Sequence, residues 1–248
     1  MKVLKTFNRK GLKIVNYDEK GEIYITGIVI DDTDAEWLRR EDDGVIGYTY
    51  PAAVKEELDA LAGKPIDVHI ASDGGNVAAG IAIFNMLKNH DAPVVAYIDA
   101  WAASIASVIA FAANKIMMPA NTFLMIHNPS GGAFGEASYL RAVADWLDKL
   151  QEMIAQTYKA HAKADVTIER IHELMAAETW LTATEAAEMF DNVELLEKDT
   201  DLDAVACLSC KKSAPEAVSA LARMRREADD AAKMVDGIKK ILEEAYKI

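Results

Sequence analysis

Residues 65–90, PIDVHIASDGGNVAAGIAIFNMLKNH, hold the fold in miniature. The run "PIDVHIAS" is short, apolar and bounded by turn formers, which reads as a strand. "DGGN" is a turn, where Gly74 and Gly75 supply backbone freedom that no other residue has. "VAAGIAIFNMLKNH" reads as a helix, and "APVVAYID" (92–99) brings the chain back as a second strand. A strand, a tight turn, a helix and a returning strand make a βαβ unit, whose strands run parallel.

The alternation continues on either side. "EIYITGIVI" (22–30) is rich in β-branched residues and reads as a strand, followed by an acidic stretch, "DDTDAEWLRREDDG", expected to be a loop with some helix. "YPAAVKEELDALAG" (50–63) reads as a helix with Pro51 near its start and Gly63 past its end. "KIMMP" (115–119) and "TFLMIHNP" (122–129) read as further short strands. Strands separated by helices predict a layered α/β domain with a parallel sheet.

From about residue 136 the period changes. In "ASYLRAVADWLDKLQEMIAQTYKAHAK" the apolar residues Leu140, Val143, Leu147, Leu150 and Ile154 recur at spacings of three and four, the mark of a long amphipathic helix. That stripe suits core packing or a contact between subunits. Two more helices, "TIERIHELMAAE" and "TATEAAEMF", close a domain expected to span 1–199. A polar linker (200–215) and a charged, helix-favouring tail (216–248) follow, the tail expected to be a loosely attached helix or an oligomer contact.

Composition excludes several functions. With 51% hydrophobic residues the chain can bury a sizeable core, and 40 acidic against 27 basic residues give a net charge of -13. Such a surface repels phosphate backbones, so no nucleic-acid partner is expected. No apolar block resembles a signal peptide, and none reaches the roughly 18 residues that span a bilayer, since Asp99, Asn114 and Lys115 interrupt the best candidate. A cytoplasmic protein without membrane partners is expected. Cys207 and Cys210 form a lone "CLSC" without two further ligands nearby, which reads as reduced thiols; no metal or cofactor is expected.

The stretch "AYIDAWAASIASVIAFAA" (96–113) raises the chemical question, because Ser104 and Ser107 lie among small apolar residues. A helical serine ordinarily bonds a preceding carbonyl, whereas a nucleophilic one needs a base beside it and donors for the oxyanion. Among five histidines, His127 alone stands where an apolar strand breaks into a turn-rich loop, a usual place for sites in α/β sheets, although a structural histidine would suit that place too. Gly74 and Gly75 could expose amides, though a double glycine is often only a turn. Ala102 and Ala106 replace the glycines of a GxSxG elbow, which disfavours an α/β-hydrolase.

Taken together, "ASDGGNVAAGIAIFNML", "AWAASIAS" and "MIHNPSGGAFGEA", in this order, resemble the ClpP family of serine peptidases over about residues 66–198. The resemblance implies a ClpP/crotonase-like spiral of βαβ units, with the long helix as a protruding handle that packs one ring on another. It makes Ser104 the nucleophile, His127 the general base and then acid, and the amides of Gly74 and Ile105 the oxyanion donors, with Gly75 shaping the loop. Ser107 falls to packing. The family's catalytic aspartate aligns with Glu178 in "AAETWLTATEAAEMF", and Asp73 replaces the family's loop proline. Gly131, Gly132 and Ala133, in "GGAFG", lie where a peptide substrate adds as a strand. The "ETW" signature and divergent amino terminus look like the phage-type branch, the head maturation and prophage proteases. Implied partners are further copies of the chain in stacked rings, a peptide or protein substrate, and an ATPase unfoldase or phage capsid proteins. Two other readings remain: a crotonase-like coenzyme A thioester hydratase or isomerase, and an inactive assembly scaffold.

Overall fold

The structure, a computed structural model, describes residues 2–9, 12–40 and 47–196. The expected linker and tail, with Cys207 and Cys210, lie outside the described residues. Five strands form the parallel heart of the sheet: β3 (Gly21–Val29), β5 (Ile66–Gly75), β6 (Val94–Ala103), β7 (Lys115–Pro119) and β10 (Val193–Leu196), side by side in that order. The antiparallel hairpin β1 (Val3–Arg9) and β2 (Leu12–Tyr17) extends the β3 edge, and the short β4 (Tyr48–Thr49) pairs with β3 in parallel. Beyond β7's end of β6, β8 (Phe123–Ile126) pairs in parallel with residues 101–103, and β9 (Thr179–Thr182) lies antiparallel to β8.

Successive side chains of a strand point to opposite faces, and the two faces differ here. On one, Ile23, Ile25, Val68, Ile70, Ala96, Ile98 and Ile116 are fully buried beneath helices α2 (Pro51–Ala60), α3 (Val77–Lys88) and α4 (Ile105–Ala110), within a core that includes Val54, Leu58, Ile83 and Ile109. Each buried isoleucine or leucine contributes roughly 1.5–3 kcal/mol. The intervening positions are polar and half-buried. Across three strands Tyr24, His69 and Tyr97 stack in a ladder, with centroids 4.5 and 5.1 Å apart. His69 Nδ1 lies 3.0 Å from Asp99, and Lys20 bonds Asp67 and Glu22. A parallel sheet covered on both faces would carry continuous apolar runs; the alternation along β5 and β6 marks one packed face and one open one.

Several expectations meet the structure directly. The acidic stretch after β3 forms α1 (Asp32–Arg40), and α2 opens with Pro51 at its first position, where the missing N–H costs nothing. Asn76 caps α3 by accepting from Ala79 N–H. The expected "DGGN" loop starts later, because β5 runs on through Gly75 with its last residues paired to β3. The long helix is α5 (Ala137–Lys159), followed by α6 (Ile168–Ala176) and α7 (Ala183–Met189), the last opened by a capping box between Thr182 and Glu185. Of the apolar stripe on α5 only Ile154 is buried; Val143, Leu147 and Leu150 are half-exposed and Leu140 is exposed. Core packing therefore accounts for the last turns alone, and along the first four turns the stripe stays partly or fully exposed.

Candidate active site

The site forms where three strand ends meet. β6 is flanked by β5, with Ser72 opposite Ala102, and by β8, with Ala103 opposite Met125. At the end of β6 the chain turns sharply into α4, and Ser104 makes the turn with φ 57 and ψ -129. A non-glycine residue there carries strain of about 1–3 kcal/mol, sustained only when its surroundings fix it. They do so through three bonds. Ser104 N–H donates to Met125 O at 2.9 Å, and Ser104 O accepts from Ser107 N–H at 3.0 Å and from Ser107 Oγ at 2.6 Å. The side chain of Ser104 is thereby held at the rim, half-buried.

His127 directly follows β8. Strand periodicity puts it on the same face as Met125, and its Nε2 lies 2.6 Å from Ser104 Oγ. With the proton on Nδ1, Nε2 accepts from the Ser104 hydroxyl, the arrangement a general base requires.

Gly74, with φ 88, packs against the serine turn. A Cβ there would sit 2.6 Å from Ala103 O, 2.8 Å from Ser104 Cβ and 3.1 Å from Ile105 N, so only glycine permits this approach. The Gly74 amide donates to Ser72 Oγ at 3.1 Å, and that buried hydroxyl donates to Gly27 O at 2.6 Å. Ile105 is the first residue of α4, where N–H groups have no acceptor within the helix. Gly75 shapes the strand end against β3, for a Cβ on it would strike Val29 O at 2.1 Å. Asp73 accepts from Trp101 Nε1 at 2.7 Å, which ties the end of β5 to β6 just before Gly74 and Ser104.

The remaining residues stand farther out. Glu178 precedes β9, and the register Ile126 to Thr179, carried one pair further, sets it across from His127. Its carboxylate is exposed, and no hydrogen bond or ion pair joins it to His127 among the described residues. The backbone at Glu178 is left-handed, φ 50, which breaks the extended geometry that would carry its side chain in register with β9. Gly131, Gly132 and Ala133 lie in the irregular segment between β8 and α5, with no strand paired to them among the described residues. A Cβ on Gly131 would lie 3.7 Å from Leu147 Cδ2, so the segment leans on α5, while Gly132 is open and Phe134 is 91% exposed.

Three contacts had no counterpart in the sequence reading. Ser72 holds the Gly74 amide, Trp101 tethers Asp73, and Tyr158 of α5 lies 2.8 Å from Ser107 Oγ. The spacing of Ser107 three residues after Ser104 was a signal for a side-chain bond to a preceding carbonyl. The Tyr158 contact spans 51 residues and had no local signal.

Comparison with known proteins matches these features to one family. The family profile described as Clp protease matches residues 54–193, more than half of the chain. The ATP-dependent Clp protease proteolytic subunit of Ligilactobacillus salivarius is 34% identical over 128 residues, covering 50% of this chain and 64% of that protein. The protein of the same name from Bacteroides thetaiotaomicron is 33% identical over 141 residues, covering 55% and 63%. The chain thus spans a little under two thirds of the length of these relatives. A solved structure of a ClpP1 mutant from Listeria monocytogenes has the same fold, with a TM-score of 0.54 at 24% identity, over 70% of this chain and 92% of that one. With strands β5 to β9, the serine turn and the histidine that follows β8 all inside the matched region, the chain belongs to the Clp protease family.

Proposed function

We propose that the protein is a serine endopeptidase that works inside a homo-oligomeric ring assembly. The observation that carries this is the 2.6 Å contact between His127 Nε2 and Ser104 Oγ, made across two adjacent strands whose positions are fixed by the sheet. In the reaction, His127 takes the hydroxyl proton as Ser104 Oγ attacks the scissile carbonyl. The amides of Gly74 and Ile105 bind the oxyanion, and the protonated imidazole then gives its proton to the leaving amine. Water, deprotonated by His127, hydrolyses the acyl-enzyme and restores both groups. Glu178, set across from His127 by the β8–β9 register, orients the imidazole as the third member, which requires its side chain to swing inward on substrate binding.

A peptide laid along Gly131, Gly132 and Ala133 would add as a strand beside a segment that no strand pairs with among the described residues. The half-exposed face of α5 supplies the contact between rings, and further copies of the chain are the partners it fits. With the "ETW" motif, the divergent amino terminus and the acidic surface, the reading extends to phage-type maturation proteases, whose substrates are capsid and scaffold proteins rather than chains delivered by an unfoldase. A thioester hydratase would have no use for the Ser104–His127 bond.

A fluorophosphonate probe tests the proposal on the full chain. Labelling of the wild-type protein that disappears in Ser104→Ala supports it. A wild-type assembly that takes no label, or hydration of an enoyl thioester, overturns it.

A further inference from the structure

The nucleophile's turn is held from behind by a polar chain that runs out of the core. Ser107 is completely buried, and its hydroxyl has two neighbours: Ser104 O at 2.6 Å and Tyr158 OH at 2.8 Å. Proton accounting fixes the direction of both bonds. A carbonyl can only accept, so the single Ser107 hydroxyl proton goes to Ser104 O, and the bond to Tyr158 must be filled by the tyrosine's proton. Tyr158 is itself 1% exposed, and burial pushes its phenol above the ordinary range, so it stays a donor. The two hydroxyls polarise one another in series and end on the Ser104 carbonyl. The tyrosine ring cannot wander, because Phe111 meets it edge-on at 5.5 Å and Phe190 packs at 6.4 Å.

Holding that carbonyl does more than brace a strained residue. The peptide between Ser104 and Ile105 is planar and trans, so its N–H points opposite to its C=O. Fixing Ser104 O on the core side therefore aims the Ile105 N–H away from the core, toward the Gly74 side of the turn, where a Cβ on Gly74 would lie 3.1 Å from Ile105 N.

We infer that Tyr158 and Ser107 are positioning residues for the proposed reaction, their hydroxyls acting in series on the Ser104 carbonyl to aim the Ile105 amide at the oxyanion. The inference rests on the peptidase reading and names a device within the same site. It also links the long helix that carries Tyr158 to the chemistry of a serine 54 positions earlier in the chain.

The test compares Tyr158→Phe, Ser107→Ala and the double variant in the full chain, with a peptide ester, a fluorophosphonate and a peptide boronate whose tetrahedral adduct needs the oxyanion donors. Removing a whole oxyanion donor costs about 10²–10³ in kcat, and here the donor is only loosened, since the Ser107 N–H bond to Ser104 O remains. Ser107→Ala is expected to lower kcat, labelling rate and boronate affinity together by about tenfold, with KM little changed. Tyr158→Phe, which keeps the ring and its packing, should lower the same three by about threefold, and the double variant should match Ser107→Ala because the two hydroxyls act in one line. Variants that melt earlier yet keep wild-type kcat and boronate affinity would make the chain merely structural and overturn the inference. Should Ser107→Ala not fold, Tyr158→Phe decides alone. A wild-type protein that takes no fluorophosphonate overturns the peptidase reading and this inference with it, whereas normal wild-type labelling with unaffected variants overturns the inference only.

Discussion

Gly74→Ala offers the sharpest probe of the site, because its cost can be worked out from a backbone angle and a distance. The residue sits at φ 88, so an alanine there carries about 1–2 kcal/mol of backbone strain. Its Cβ would also fall 2.8 Å from Ser104 Cβ, against the roughly 3.5 Å at which carbon atoms normally meet. The neighbours it strikes, Ala103 O and Ser104 Cβ, belong to a paired strand and a braced turn and have little room to yield. The strand ends must therefore part by about 0.7 Å, an overpacking cost of about 1–3 kcal/mol. With strain included, the loss of about 2–5 kcal/mol lowers Tm by about 5–15 °C for a chain of this size. Since a misplacement of 1 Å in a reacting pair costs about a hundredfold, labelling of Ser104 by a fluorophosphonate should slow by about 30- to 100-fold. Gly63→Ala is the control. It has a similar φ of 76 and nothing within 4 Å of the added carbon, so it isolates the strain, lowering Tm by a few degrees and leaving the labelling rate intact. Wild-type labelling in Gly74→Ala, or an equal loss in Gly63→Ala, would refute the reasoning that the Gly74–Ser104 approach sets the reactivity of Ser104.

Other outcomes follow from the same geometry. Glu178→Ala should lower kcat for a peptide substrate by one to two orders of magnitude while Ser104 still labels, and Glu178→Asp should recover part of the loss; unchanged kcat in the alanine variant would make the catalytic unit a pair rather than a triad. Glu178→Gly, by relieving the φ of 50, should raise Tm slightly even as activity falls, which differential scanning calorimetry would register. Leu147→Glu puts a charge on the half-exposed face of α5 and is expected to shrink the assembly by native mass spectrometry, whereas Ser104→Ala should leave its size unchanged. His161, half-buried against Phe111, has its pKa lowered first by burial and then by Lys88. The folded state thus favours neutral imidazole, and the unfolded chain takes up the proton first as pH falls below about 6.5, so this contribution is complete above that pH and declines beneath it. The Tm difference between wild type and His161→Gln should shrink on acidification from pH 7.5 to 5.5.

What the sequence could express depended on how far apart the partners lie. The strand, turn and helix of residues 65–88 were legible because each announces itself within a few residues, down to Asn76 as the cap of α3. β9 and β10, four residues each, carry too little periodicity to be read, and they exist because β8 and β7 offer them an edge. The stripe from Leu140 to Ile154 looks the same whether it faces a core or another chain; only its surroundings separate Ile154, which is buried, from Leu140, which is not. Ser104 and His127 were found through motif order, and the sheet brings them together. Asp73 gives up the fixed dihedral of the family's loop proline, and the bond from Trp101 supplies a tether in its place, visible only once β5 and β6 are set side by side. Glu178 was legible as a carboxylate that the β8–β9 register sets across from His127, but not its left-handed backbone, which depends on how the turn from α6 enters β9.

The bond from the Gly74 amide to the Ser72 hydroxyl has a further consequence for selectivity. An incoming peptide carbonyl is a neutral acceptor, and luring the amide from one neutral oxygen to another brings almost no gain. A full negative charge is a far stronger attractor, roughly doubling the strength of such a bond. In the proposed reaction the amide is therefore released late, as charge builds on the attacked carbonyl, and its help falls on the barrier rather than on the ground state. On that proposal the Ser72 hydroxyl, itself anchored on Gly27 O, acts as a threshold: weak binders do not cross it, and the tetrahedral intermediate does.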